Sequence, residues 1–159
     1  MRSLLFITIF LLLTGSLDAQ KKKTVKRLGI KSVTSKDYLG GIGVNDSKII
    51  YNQSGKIIEE IKYDSLGNLK SSTRYKYNKN NDLVMETEFN DKNTIVEIRK
   101  YNYNSTGLKI EEEIVNRDNH LQKKHLYFYN KQNLKTERKT FDSKNQLISV
   151  KKYNYEFNR

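Results

Sequence analysis

The sequence predicts an all-β fold: an antiparallel meander of tandem β-hairpin repeats. Three observations predict it. An aromatic residue returns at alternating intervals of 12 and 14, as Tyr51, Tyr63, Tyr77, Phe89, Tyr103, Tyr129, Phe141 and Tyr155, with Val115 on the one remaining beat. Every beat but the last is followed by a pair of turn-forming positions. Between the turns lie stretches of about eight residues whose character alternates along the chain. A period kept for eight intervals marks one small unit copied in tandem.

The turns come first in the argument. The residue after the beat is Asn52, Asp64, Asn78, Asn90, Asn104, Asn116, Asn130 or Asp142. An Asn or Asp side chain accepts a hydrogen bond from a backbone amide two residues on and so starts a turn. Three positions later stand Gly55, Gly67, Asn81, Asn93, Gly107, Asn119, Asn133 and Asn145. Gly and Asn most readily take the positive φ that closes a tight hairpin loop.

The strands follow. In the run from Leu69 to Tyr77, alternation puts Leu69, Thr73, Tyr75 and Tyr77 on one face and Lys70, Arg74 and Lys76 on the other. The layout recurs from Leu121 to Tyr129 and from Leu147 to Tyr155. Because the intervals alternate, the copied unit is a hairpin of 26 residues, in four copies at 51–76, 77–102, 103–128 and 129–154. Aromatic pairs flank each boundary (Tyr75 and Tyr77, Tyr101 and Tyr103, Tyr127 and Tyr129, Tyr153 and Tyr155) and should stack in ladders across paired strands. The expectation is about eight or nine strands in a single curved sheet or narrow roll. With only 36% hydrophobic residues, Leu69, Met85, Ile95 and Leu121 on one face and Ile58, Val84, Val96, Ile98, Ile148 and Val150 on the other build no thick core.

The segment Tyr63-Asp64-Ser65-Leu66-Gly67-Asn68-Leu69, followed by Tyr75-Lys76-Tyr77-Asn78, resembles the YD (Rhs-type) repeat family. More loosely, it is similar to the MORN-like repeats of YwqK-type proteins. The resemblance spans roughly residues 49–158 and implies stacked β-hairpins, which in large members spiral into a shell around a toxin. Here Asn replaces the motif Gly in five of the eight turns, and four units are few for enclosing cargo. Leader and repeat together are similar in style to exported proteins of the Bacteroidetes.

Residues 1–19 read as a signal peptide: Arg2 gives the positive start, Leu4 through Leu13 the apolar run, and Ala19 a small residue before the cut. The run is short for a membrane span, so no transmembrane anchor is expected after cleavage. The expected destination is the periplasm, the outer cell surface or the medium. The chain has no Cys, so it has no disulfide framework. Its net charge of +12 is uneven. Residues 20–48 hold Lys21, Lys22, Lys23, Lys26, Arg27, Lys31, Lys36 and Lys48 against only Asp37 and Asp46. This segment reads as a basic N-terminal arm, with Gly40-Gly41-Ile42-Gly43 as its flexible joint to a repeat domain over 49–159.

Catalytic chemistry has little to draw on, and neither a cofactor nor a metal is expected. His120 and His125 are five apart, which on a strand sets them on opposite faces, and both read as exposed. Glu111, Glu112 and Glu113 read as a solvated run paired with neighbouring lysines. The binding candidates are Lys21, Lys22, Lys23, Lys26 and Arg27 on the arm, with Arg74, Tyr75, Lys76, Tyr77, Tyr153 and Tyr155 on the sheet. Aromatic rings beside cations can stack sugars or bases. Export argues against nucleic acid and for an anionic envelope polymer or another protein. The expected function is a non-enzymatic binding module at the envelope or outside the cell. The alternative is a structural or toxin-associated module that pairs with its partner through sheet edges.

Overall fold

The structure, a computed structural model, describes residues 22–158; the signal-peptide reading and Lys21 lie outside them. A helix, α1, over 22–28 precedes ten strands. They are β1 (Ser32–Leu39), β2 (Ile42–Tyr51), β3 (Ile57–Tyr63), β4 (Leu69–Tyr77), β5 (Leu83–Asn90), β6 (Ile95–Tyr103), β7 (Lys109–Val115), β8 (Leu121–Tyr129), β9 (Lys135–Asp142) and β10 (Leu147–Lys152). All pair antiparallel in one sheet, in chain order from β1 to β10. The fold is an open all-β meander with one more strand than the upper expectation.

The eight repeat turns share one construction. After Tyr77, the Asn78 amide donates to the Asp82 carbonyl and the Asn81 amide to the Asn78 carbonyl, each at 3.0 Å. The Asn78 side-chain oxygen accepts the Asp82 amide at 2.8 Å. Corresponding side chains, from Asn52 to Asp142, accept the amide four residues on in the other turns too. All eight anticipated closing residues, Gly55, Gly67, Asn81, Asn93, Gly107, Asn119, Asn133 and Asn145, have positive φ.

Past each turn the pairing slips by one residue. Lys76 faces Met85 but Tyr77 faces Leu83, so Val84 has no partner. The same slip bypasses Ile58, Val96, Ile110 and Ile148. Such a bulge adds twist and inverts side-chain parity. It also corrects the face assignment: Thr87 pairs with Ile98, so Met85, two residues away on β5, shares a face with Ile98.

The segment read as a basic arm is structured. β1 and β2 form a hairpin whose two-residue loop, Gly40-Gly41, has φ of 59° and 85°. Two consecutive positive φ values match the twist of the flanking strands, so this glycine pair makes a tight turn, and Ile42 and Gly43 lie inside β2. One period of 26 residues relates Gly41 to Gly67, Gly29 to Gly55 and Val25 to Tyr51. All four glycines have positive φ. Residues 25–50 are therefore a fifth, diverged unit, hidden because Val25 and Asp37 occupy its aromatic beats.

Helix α1 caps this unit. It ends with Gly29 in the left-handed region, where the Ile30 amide donates to the Val25 carbonyl (3.0 Å) and the Gly29 amide to that of Lys26 (3.3 Å). Val25 is buried, as is Tyr51 beside it. A Cβ on Gly55 would come within 2.6 Å of the Lys22 carbonyl oxygen, so the helix seats directly on that turn. Among the described residues the remaining buried apolar side chains are Phe89, Tyr101, Val115 and Tyr127, a thin core spread along one layer.

Candidate binding surfaces

The boundary tyrosines form clasps. The Tyr77 hydroxyl donates to the Ile57 carbonyl (2.9 Å), Tyr103 to Leu83 (2.8 Å), Tyr129 to Lys109 (2.8 Å) and Tyr155 to Lys135 (2.8 Å). Each ties the first residue of a unit, or the residue just past the last unit, to the strand before it. In the diverged unit at 25–50 a bulge bypassing Asp46 offsets the register, and the Lys31 carbonyl accepts the Tyr51 amide instead (2.9 Å). The buried Tyr51 hydroxyl has no hydrogen-bond partner.

A second column pairs tyrosine with glutamate. The Tyr75 hydroxyl donates to Glu60 (3.0 Å) and Tyr127 to Glu112 (2.6 Å), while Tyr101 lies directly across from Glu112 and is acted on by the nearby Glu86 carboxylate. Burial, reinforced by these carboxylates, pushes the three hydroxyls well above the ordinary tyrosine range. Burial alone would raise the Glu112 carboxyl. The Tyr127 hydroxyl and the Lys109 ammonium, 2.9 Å away, outweigh it and hold the group below its usual value. Glu112 is thus a buried, paired carboxylate, not part of a solvated run.

Cations thread the same face. The Lys109 ammonium sits 4.7 Å from the Tyr101 ring centre and 5.0 Å from that of Tyr127. Lys135 sits 4.7 Å from Tyr127 and 5.7 Å from Tyr153, and Lys151 is 5.4 Å from Tyr153. His125 is half-buried rather than exposed: its Nδ1 lies 2.9 Å from the Thr140 hydroxyl. Burial lowers its pKa against the pull of Glu112, with Arg138, Lys123 and Lys109 adding to the lowering. His120 lies exposed at the end of a turn.

Lys22, Lys23, Lys26 and Arg27 are exposed together on α1. Arg74 and Lys76 are exposed on the face opposite Tyr75, so these three do not form one surface. Arg74 bonds Glu59 at 2.9 Å and lies 4.5 Å from the Phe89 ring centre. Tyr75 and Tyr77 are engaged in the columns above, as is the partly exposed Tyr155. Tyr153 and Lys151 do share a face. A shallow polar depression on the tyrosine face, lined by Glu60, Glu86, Glu88, Glu97 and Arg99 among others, went unnoticed in the sequence because its acids come from three strands.

Neither a family model nor a curated protein matches the chain. Solved structures similar to it include a protein of unknown function from Bacteroides fragilis, 16% identical, covering 80% of this chain and 95% of that one, with a TM-score of 0.41. A DUF3836 family protein from Bacteroides vulgatus is 13% identical over 78% of this chain and 99% of its own, with a TM-score of 0.26. TarM of S. aureus is 9% identical over 79% of this chain, which spans 22% of TarM, with a TM-score of 0.32. Scores this low assign no function.

Proposed function

We propose that this is a non-enzymatic, exported β-repeat protein that acts as a binding module at the cell envelope or outside the cell, where it holds an anionic partner. The YD-type resemblance is part of the same proposal and rests on the Tyr63–Leu69 and Tyr75–Asn78 residues. The observation that carries it is the cation cluster on α1. Val25 anchors one side of the helix, and Lys22, Lys23, Lys26 and Arg27 face solvent as a fixed group. Burial depresses Lys56 below its ordinary value, and the nearby Lys22 ammonium adds to the lowering against the pull of Asp82. Such a patch attracts polyanions, with strength that falls as salt rises.

Co-sedimentation of the mature protein with envelope fractions and an acidic polysaccharide, at low and high salt, tests the reading. Salt-sensitive binding lost in the Lys22→Glu/Lys23→Glu/Lys26→Glu/Arg27→Glu variant is the expected result. Retention by the variant rules the patch out. A structural or toxin-associated module that pairs through sheet edges is the second reading, favoured by β10, whose six residues are all exposed.

A further inference from the structure

The glutamate–tyrosine column changes at its last step. Glu60, Glu86 and Glu112 recur every 26 residues, and the next residue in the series is Arg138. Tyr75 faces Glu86 across the ladder and Tyr101 faces Glu112, but Tyr127 faces Arg138. Arg138 in turn stands directly opposite Lys151 on β10, an arrangement of like charges that costs stability. The buried Arg138 Nε has no hydrogen-bond partner. Lys135 and Lys151 flank the Tyr153 ring, and among the described residues Arg138, Lys135 and Lys151 make no ion pair. In earlier units the strand after the tyrosine supplies the facing group, and after Tyr153 the sheet ends.

Backbone polarity points the same way. The Tyr153 amide donates inward to the Thr136 carbonyl at 3.0 Å, so by alternation the amides of Lys152 and Val150 point away from β9. Leu147, Ile148 and Val150 are exposed beside them. This edge offers unpaired amides, apolar contact and uncompensated positive charge in one place.

We propose that the free edge of β10 is a docking strand for an extended acidic polypeptide segment of a partner protein. The added strand sets a carboxylate across from Tyr153, within reach of Arg138 and Lys151. It continues the column that Glu86 and Glu112 form in the earlier units. This builds on the edge-pairing reading and is independent of the α1 patch.

The probe is a capped synthetic peptide with the β7 sequence, Lys-Ile-Glu-Glu-Glu-Ile-Val, whose middle glutamate is Glu112 in the chain. Its binding to the full mature protein is read by fluorescence anisotropy and by hydrogen exchange at the Val150 and Lys152 amides. We expect saturable binding that protects both amides. Changing all three peptide glutamates to glutamine, or making Arg138→Gln/Lys151→Gln protein, should each weaken it about fivefold or more. Lys152→Pro removes one outward amide while leaving the β9 ladder intact, and should abolish protection.

Equal binding of the acidic and glutamine peptides, with the amides protected, would overturn the acidic preference and leave edge pairing standing. No protection with either peptide sinks both. Protection of β10 that appears with protein concentration alone, in sedimentation-matched samples, would make a second copy the occupant and refute the proposal.

Discussion

The Tyr127 hydroxyl lies 2.6 Å from the Glu112 carboxylate across one hairpin, with both side chains buried in a sheet only one layer thick. A charged acceptor in such a place is stabilised by its donors, and removing one leaves the charge under-solvated. Tyr127→Phe should therefore cost about 2 kcal/mol in urea unfolding. Loss within the scatter of surface substitutions would mean that Lys109 alone satisfies the carboxylate.

The clasps set a different expectation. Tyr77→Phe, Tyr103→Phe and Tyr129→Phe each delete a hydroxyl–carbonyl bond and should each cost about 1 kcal/mol. Tyr51→Phe deletes a buried hydroxyl that has no partner and should be neutral or stabilising. Thermal midpoints of the four variants, measured side by side, give the contrast.

Two glycines separate backbone strain from helix docking. Gly107 has φ of 79° with open space around its missing side chain, and Asn occupies the same turn position in five other copies. Gly107→Asn should be nearly silent. Gly55→Asn, at φ of 76°, would drive its Cβ into the Lys22 carbonyl and should expel α1. Exposure of Val25 and Tyr51, read by proteolysis within 22–30, is the check.

Titration should act in both directions. Tyr75, Tyr101 and Tyr127 are held neutral above the ordinary tyrosine value of 10.0, so the stability they contribute is whole below that pH and drains away as pH rises past it. His125 and Glu112 are lowered from 6.5 and 4.5, so their contributions are present above those values and are lost as pH falls. Urea midpoints should decline on both sides of a plateau near about pH 8. A flat alkaline limb would contradict burial of the tyrosine hydroxyls.

Arg138→Glu should raise the thermal midpoint. It replaces a like-charge pair with Lys151 by an opposite-charge pair and restores the column carboxylate, a gain of about 1 kcal/mol. The same substitution should weaken the acidic peptide at β10.

What the sequence disclosed was whatever a single position must do by itself. Asn81 and Asn119 stand where the backbone turns left-handed, and few other residues accept that conformation, so every closing residue was legible. The bounds of β4 and β8, Leu69–Tyr77 and Leu121–Tyr129, followed from the turns on either side. Pairwise facts were hidden. Val84 and Ile58 have no cross-strand partners, and one skipped partner reverses every face assignment beyond it. The unit at 25–50 is hidden in the sequence because its beats carry Val25, within α1, and Asp37, on β1. Arg138 could be read at period 26, but its meaning required knowing that Glu60 and Glu112 receive tyrosine hydroxyls and that Glu86 faces Tyr75 across the ladder.

The four clasps make the length of this protein a free variable. From Tyr77 onward each unit carries its own turns, its own slip in register and the tyrosine that locks it to its predecessor, so nothing in that stretch counts how many copies have been made. Copying 26 more residues in frame would extend the ladder without repacking any distant element. Gene duplication could therefore lengthen or shorten the sheet in whole rungs, with the helix-bearing end as the fixed origin from which it grows.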